Sequence, residues 1–183
     1  MPAALCVGNF RLLWVARTIS LLGSWLLVVA VPAYVLQLSG SLVATGLTLA
    51  AEFLAPVLLG PVAGVLVDRW DRRHVMLISD VCRAVAIGLL LFAREPGDLW
   101  IVYLALFVES VGTVLFRPAA QAHTPAVVGT GSLLSSANSL NALTDGTVRL
   151  VGAPLGGVLF GLAGFTTLVW VDVATYLVSG PRS

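Results

Sequence analysis

Eight ionisable side chains stand singly within long apolar stretches of this sequence, where a charge is costly. In lipid each such group costs a few kcal/mol unless it is paired or faces water. These residues therefore either form structural ion pairs or line a path for protons or polar solutes, and the sequence alone leaves both interpretations open. The eight residues are Arg17, Glu52, Asp80, Arg83, Glu109, Asp145, Arg149 and Asp172.

Five of these residues are candidates for a substrate or proton pathway. Glu52, Glu109 and Asp145 are the candidate proton carriers, because a carboxyl group within a membrane span can take up and release a proton. Arg17 and Arg149 are the cationic candidates, which either pair with the acids or face the pathway.

The stretch that contains Asp145 has polar or small residues at every third or fourth position, so they share one helical face. Asp145 precedes Arg149 by four positions, and we expect the two to form an intrahelical ion pair. Two amides and two charges on one face favour a water-filled cavity open to the cytoplasm over a polar seam between helices. The members of this face are Asn138, Asn141, Asp145, Arg149, Gly152 and Gly156.

Composition places most of the chain in lipid. Of its 183 residues, 58% are hydrophobic and 10% are charged, with a mean hydropathy of +1.00, whereas soluble domains are about 25% charged. The formal net charge of +1 provides no basic surface for nucleic acid. The absence of lysine excludes a Walker A loop and a pyridoxal phosphate Schiff base. With two cysteines and two histidines, we expect neither a metal site nor a cofactor.

Six apolar stretches are long enough to be membrane spans. They lack the period-two alternation of strands, and lipid requires internally bonded backbone, so we predict an all-α integral membrane protein with six transmembrane helices in a bundle. The first stretch is much longer than the apolar region of a signal peptide. The predicted spans are 12–38, 42–67, 75–93, 99–116, 134–160 and 165–179.

The arginines predict the orientation of these spans. Six fall on one side of the six-span arrangement and Arg94 alone on the other, which places both termini in the cytoplasm. The segments 68–74 and 117–133 then connect spans on the inner side. Three spans beginning inside, followed by three beginning outside, match an inverted three-plus-three repeat. The six inner arginines are Arg11, Arg69, Arg72, Arg73, Arg117 and Arg182.

Glycines four positions apart predict close helix packing in the second and fifth spans. In the fifth span Pro154 removes one helical hydrogen bond, which predicts a bend beside the packing site. The glycines concerned are Gly60, Gly64, Gly152, Gly156, Gly157 and Gly161.

The short charged segment after the second span carries a recognisable pattern. Residues 64–73 read GVLVDRWDRR and resemble the motif G-x-L-x-D-R-x-G-R-R of the major facilitator superfamily, with Asp71 in place of the motif's last glycine. The resemblance implies that this segment latches the two halves of a transporter in the outward-facing state. The latch residues would be Gly64, Asp68, Arg69, Arg72 and Arg73.

Further segments resemble the same family. Residues 152–157, GAPLGG, are similar to the antiporter motif G-P-x-x-G-G with its proline one position late. Residues 10–25, 116–119 and 170–172 resemble the branch of macrolide and siderophore exporters. The resemblance implies a plasma-membrane secondary transporter that exports drug-like or siderophore-like amphipathic molecules by proton antiport with alternating access.

Members of this family have twelve helices in two halves, so the resemblance predicts that residues 1–183 form the N-terminal half and that the C-terminal half is absent. The chain would then be a fragment or a half-transporter. Its expected partners are the lipid bilayer, a small-molecule substrate, protons, and a missing or second half. The alternatives are a non-transporting remnant and the permease subunit of an ATP-driven transporter. We expect no enzyme, because residues 145–149 lack the further aspartates of a two-metal phosphotransferase site.

Overall fold

The computed structural model of the protein describes residue 5 and residues 7–179, without the side chains of residues 9, 65, 66, 68, 123, 126, 178 and 179. The predicted inner position of Arg182 and the side chain of the predicted latch residue Asp68 therefore lie outside the described residues. The described chain contains six α-helices and no strand, which confirms the predicted all-α bundle. The helices are α1 (Gly8–Ser39), α2 (Leu42–Asp68), α3 (Arg72–Leu89), α4 (Leu99–Val128), α5 (Ser132–Ala163) and α6 (Phe165–Ser179).

Five of these helices, α1 to α5, are long and apolar enough to cross a membrane. The sixth is apolar but has only 15 residues, fewer than the roughly 20 that a perpendicular span needs. Short 3-10 turns at Leu90–Phe92 and Pro96–Asp98 connect α3 to α4.

The connections at one end of the bundle are very short. Only Gly40 and Ser41 separate α1 from α2. Gly40 adopts the left-handed conformation with φ 64°, and its N–H donates to the Leu36 carbonyl to close α1. Glycine adopts this conformation without steric cost. Gly164, with φ 77°, is the single residue between α5 and α6.

The predicted connection over 117–133 is wrong in its extent, because α4 continues as a helix to Val128 and leaves only 129–131 between α4 and α5. Pro118 does not end the helix. Ala119, which follows it, is fully buried in an apolar cluster with Val67 and Met76. Apolar burial on α2 and α3 therefore holds this part of α4 in helical form.

The helix neighbours follow an inverted repeat. α1 packs against α5 and α6, while α4 packs against α2 and α3, and α3 packs against α6. Exchanging the first three helices with the last three leaves this set of neighbours unchanged. The main apolar core lies between α1, α3, α4 and α6 and contains Val31, Leu90, Val102 and Val169. The arrangement is that of a three-plus-three repeat.

Close packing through glycine occurs between α5 and α1. A Cβ atom on Gly152 would lie 2.7 Å from Cβ of Trp25, and one on Gly156 would overlap the backbone of Leu26. The predicted close approach at the second pair is wrong. Cγ1 of Val29 lies at an ordinary contact distance of 3.7 Å from a Cβ built on Gly157, and no atom of another described helix lies within 4 Å of one built on Gly161. Pro154 lies inside α5, which stays helical around it.

Within the described chain, the glycines of α2 do not form the predicted close packing. No described atom lies within 4 Å of a Cβ built on Gly60 or Gly64. α2 turns small buried alanines, Ala55 and Ala63, towards the bundle. The closely packed face of α2 is therefore an alanine face, and its glycines lie beside it.

We expect Gly156→Ala to destabilise the chain by about 1–3 kcal/mol, because the new methyl group overpacks the α1 contact. The matched control is Gly161→Ala on the same helix, where nothing lies within 4 Å of the new atom. That control should be neutral or stabilising by up to about 1 kcal/mol, since alanine is the better helix former. Unfolding of both variants in detergent measures the difference, and equal stabilities would contradict the α1–α5 packing.

Candidate functional site

A cavity of about 580 Å³ opens between the helices, with walls that are mostly apolar but carry several charged groups. Four of the five charged candidates from the sequence line it. They are Arg17, Glu52, Glu109 and Arg149. Five further ionisable residues also line it, namely Asp80, Arg83, Arg117, Asp172 and Tyr176.

The predicted ion pair between Asp145 and Arg149 is wrong. Asp145 pairs instead with Arg17 of α1, with Nη2 of Arg17 2.9 Å from Oδ2 of Asp145. The guanidinium of Arg149 lies over the Trp25 ring, 5.4 Å from its centroid. The close approach of α1 and α5 at Gly152 brings Arg17 within reach of α5, so a pair between helices replaces the pair within one helix.

The polar face predicted on α5 is divided in the structure. The buried residues of α5 include Ala137, Thr144 and Val148. Each of these three lies one position before a polar member of the predicted face, namely Asn138, Asp145 and Arg149. Asn138 is exposed and Asn141 is half-buried, and neither lines the cavity. The indole N–H of Trp14 donates to the Thr144 hydroxyl at 3.1 Å, so that the buried residues have a polar contact of their own.

The buried arginine of the cavity is Arg83 on α3, which is paired with the buried Asp80 one helical turn earlier. Its guanidinium carbon lies 4.4 Å from the Phe116 ring centroid and 4.5 Å from that of Tyr176. Nη1 of Arg83 also donates to the Thr113 hydroxyl at 3.4 Å. A cation between two aromatic rings and beside a carboxylate is well compensated in a low-dielectric interior.

A chain of hydrogen bonds joins α4, α6 and α1 beside Arg83. Oε1 of Glu109 accepts from the Thr113 hydroxyl at 2.8 Å and from the Tyr176 hydroxyl at 3.1 Å. The Tyr176 oxygen lies 2.7 Å from the Ser24 hydroxyl. Glu109 is therefore held by donors from two helices and faces the cavity.

Asp80, Arg83 and Asp172 were predicted from the sequence as costly charges but not as members of the site, and Tyr176 and Ser24 were not predicted at all. Helical spacing offered a signal for part of this cluster. Asp80 and Arg83 are three positions apart, and Asp172 precedes Tyr176 by four, so each pair shares a helical face. Nothing in the sequence indicated that these faces of α3 and α6 meet.

Two glycines make room for the charged residues. A Cβ on Gly112 of α4 would lie 2.6 Å from Cγ of Arg83, and a Cβ on Gly23 of α1 would overlap the carboxyl group of Asp172. Gly23 and Gly112 are as many positions apart as Arg83 and Asp172. The two contacts, α4 with α3 and α1 with α6, are thus equivalent in the inverted repeat, and they carry opposite charges.

The charged segment between α2 and α3 has a defined turn. Asp71 is the N-cap of α3, and its Oδ1 accepts from the backbone N–H groups of Arg73 at 2.8 Å and His74 at 3.2 Å. The hydrogen bond from the His74 backbone is the main cause that holds the pKa of Asp71 below its ordinary value. With φ −63°, position 71 does not require glycine.

This segment is tied to the end of α4. Nη1 of Arg72 donates to the Ala122 carbonyl at 2.9 Å, within the part of α4 that extends beyond the predicted span. Arg69 and Arg73 are exposed. Of the predicted latch residues, Arg72 is thus the one with a described contact to another helix.

Comparison with known proteins decides the family. The sequence model of the Major Facilitator Superfamily matches residues 13–181, most of the chain. The chain belongs to the major facilitator superfamily. It is therefore a multi-pass membrane protein of a transporter family, and the bundle described above is consistent with half of that family's fold.

Relatives in this superfamily include named exporters. Macrolide efflux protein A of Streptococcus pyogenes is 29% identical over 167 residues, which cover 90% of this chain and 41% of the relative. The enterobactin exporter EntS of Citrobacter koseri is 37% identical over 164 residues, covering 85% of this chain and 38% of the relative. The uncharacterized MFS-type transporter YfiS of Bacillus subtilis is 29% identical over 165 residues, covering 90% and 39%. The chain spans about two fifths of the length of these curated relatives.

We expect Arg83→Met to lower the free energy of unfolding by about 3–5 kcal/mol, because it leaves the buried Asp80 without its cationic partner. The double variant Arg83→Met with Asp80→Asn should lose less, since no uncompensated charge remains in that pair. The control Arg94→Met changes an exposed arginine and should stay within about 0.5 kcal/mol of the parent chain. Unfolding in detergent measures all three, and a double variant less stable than Arg83→Met would contradict the pairing.

Proposed function

We propose that this chain forms one six-helix half of an exporter that moves amphipathic small molecules out of the cell by alternating access, in exchange for protons. The observation that carries the proposal is the cavity, whose apolar walls hold Glu52, Glu109 and Arg149 inside a membrane bundle. Charged groups at this depth are retained where a solute or proton passes. The named relatives are a macrolide efflux protein and an enterobactin exporter, which supports a drug-like or siderophore-like substrate. We assign no enzymatic reaction to the chain.

The walls of the cavity suit an amphipathic solute. Trp25 and Phe53 offer aromatic surface, while Glu52 on α2 and Arg149 on α5 offer charges of opposite sign. Apolar pockets with a few polar groups bind such molecules and fix their orientation. We place Asp145, Arg17, Asn141 and Asn138 beside the cytoplasmic entrance, where the Arg17–Asp145 pair would open and close as the helices move. The polar groups on α5 would then guide the solute from the cytoplasm into the cavity.

We propose that a second six-helix half covers the open side of this cavity. Arg149 and Asn138 are exposed on α5, and apolar side chains such as Val57 on α2 and Leu150 on α5 are exposed as well. Apolar side chains are stable against lipid, but a guanidinium and an amide are not. A covering half, from the same polypeptide or another, would remove these polar groups from lipid and complete the substrate site.

The charged segment between α2 and α3 would control the conformational equilibrium of the transporter. We expect Asp68, Arg69 and Arg73 to contact the second half, while Arg72 holds the segment against α4. A contact made in only one of the two states shifts the populations by its interaction free energy. Gly64 would allow close approach of the covering half at this point, because its Cβ position is open.

Proton-driven transport is the direct test of this function. Everted vesicles from a bacterium without its own exporters, carrying the chain joined to the second half of the Streptococcus pyogenes relative, should accumulate a labelled macrolide. Accumulation should stop when an uncoupler removes the proton gradient. Asp68→Asn should abolish accumulation at an unchanged membrane level, whereas Glu95→Gln, on an exposed residue between α3 and α4, should leave it intact. Accumulation without a gradient would contradict antiport, and full activity of Asp68→Asn would contradict the latch.

Orientation in the plasma membrane gives a second test. With both termini cytoplasmic, Gly97 between α3 and α4 faces outward and Thr130 between α4 and α5 faces inward. In a chain with Cys6 and Cys82 replaced by serine, Gly97→Cys should react with a membrane-impermeant maleimide in intact cells. Thr130→Cys should react only after the cells are permeabilised, and the opposite pattern would reverse the topology.

A further inference from the structure

Asp172 is the buried acid whose hydrogen-bonding capacity is least satisfied within the described residues. Its side chain lies on α6, is 1% exposed and lines the cavity. Oδ2 is buried and has no hydrogen-bond partner in the described part of the chain. Oδ1 lies against Gly23 of α1, where a larger residue would leave no room for the carboxyl group. An ionised carboxylate in such surroundings would be uncompensated.

The one hydroxyl within reach of Asp172 is already engaged. Oγ1 of Thr175 donates to the Asp172 backbone carbonyl at 2.7 Å and lies 3.3 Å from Oδ1. Because a hydroxyl has a single proton, the shorter contact takes it. Within the described residues, the carboxyl group of Asp172 therefore keeps only the longer and weaker contact to Thr175.

The neighbouring acids have more hydrogen-bond donors than Asp172. Asp80 is paired with the Arg83 guanidinium, and Glu109 accepts from the hydroxyls of Thr113 and Tyr176. Both arrangements supply donors, which favours the ionised form of a carboxyl group. Three carboxyl groups share one guanidinium in this cluster, so that full ionisation would leave two excess negative charges in the bundle interior.

The groups that face Asp172 come from every helix around it. α3 brings Arg83, which is paired with Asp80, and α4 brings Glu109. Both Arg83 and Glu109 interact electrostatically with Asp172. α1 brings only the uncharged Gly23 and Ser24 at this level. From its own helix Asp172 faces Thr175 and Tyr176. α5 meets α6 through the apolar ring contact of Phe160 and Phe165. Arg83 is thus the one cation among these groups.

We propose that the carboxyl group of Asp172 is an exchangeable proton site of this half, a role for which Glu52, Glu109 and Asp145 were the candidates from the sequence. The proposal rests on the proton-coupled function proposed above. A proton from cavity water binds Oδ2 and makes Asp172 neutral, and its release to water restores the carboxylate. No other bond forms or breaks.

Release of this proton has a mechanical consequence. The Asp172 carboxylate on α6 then competes with Asp80 on α3 for the guanidinium of Arg83. A shift of Arg83 towards α6 would disturb its stacking on Phe116 of α4 and Tyr176 of α6. Proton occupancy at one carboxyl group is thereby linked to the packing of three helices.

Infrared spectroscopy of the purified 183-residue chain in lipid nanodiscs tests the site without transport. The chain should show the carbonyl stretching band of a buried protonated carboxylic acid, and the band should decrease as the pH rises. Asp172→Asn should remove it, whereas Glu95→Gln, which changes an exposed acid, should retain it. A band of unchanged intensity in Asp172→Asn would overturn the proposal. Loss of the band on adding Na⁺ at constant ionic strength and pH would also overturn it, since the site would then bind a metal cation.

Two further variants keep the test decisive if Asp172→Asn fails to fold, which circular dichroism would reveal. Thr175→Val removes the one nearby hydroxyl and should shift the midpoint of the band's titration, while Thr167→Val, an exposed threonine on the same helix, should leave it unchanged. Identical midpoints in both variants and the parent chain would overturn the proposal. Because the band is read without a substrate, a failed transport assay with an Asp172-dependent band would reject the exporter function alone.

Discussion

A guanidinium buried in a bundle that has lipid for its solvent imposes the strictest constraint on this structure. Arg83 requires a carboxylate, aromatic faces and space for its stem, and four helices contribute to meeting these needs. Asp80 comes from α3 itself, Phe116 and Gly112 from α4, and Tyr176 from α6. Tyr176 in turn reaches Ser24 on α1. The mutual positions of these four helices, which also hold the main apolar core, are therefore tied to the compensation of one charge.

The inverted repeat places a second buried ionisable side chain at the position equivalent to Arg83. Gly112 accommodates Arg83, and its repeat equivalent Gly23 accommodates Asp172. Equivalent positions thus place a guanidinium and a carboxyl group in the same interior. The same glycine contact, made once between α4 and α3 and once between α1 and α6, thus supplies a cationic and an acidic side chain to one site. Hydrogen bonds through hydroxyl and phenol groups connect the two helix pairs. Small residues at the helix crossings matter here because they create room for charge as well as for backbone contact.

Patterns along the chain predicted the features that depend on solvent and on local spacing. Hydropathy indicated the apolar helices, because lipid admits few other backbone structures. The packing role of Gly152 and Gly156 was also predictable, since GxxxG spacing has a direct steric meaning. The ion-pair partner of Asp145 could not be predicted, because the choice between Arg149 and Arg17 depends on how closely α1 approaches α5. Likewise, the extension of α4 to Val128 depends on burial of Ala119 against other helices, which helix-breaking signals such as Pro118 obscure. The meeting of Arg83, Glu109 and Tyr176 arises from tertiary contacts that no single stretch of sequence contains.

The brief connections at Gly40 and Gly164 restrict how the bundle can change shape. Consecutive Cα atoms are 3.8 Å apart, so the ends of α1 and α2, joined through two residues, can never separate by more than roughly 11 Å. The ends of α5 and α6, joined through one residue, are limited to roughly 8 Å. At that end of the molecule, neither pair can part widely enough to admit a bulky solute between its own helices. Any opening at that end must therefore form along the outer sides of these two helix pairs. Each pair can move only as one hinged unit, because its two helices stay joined.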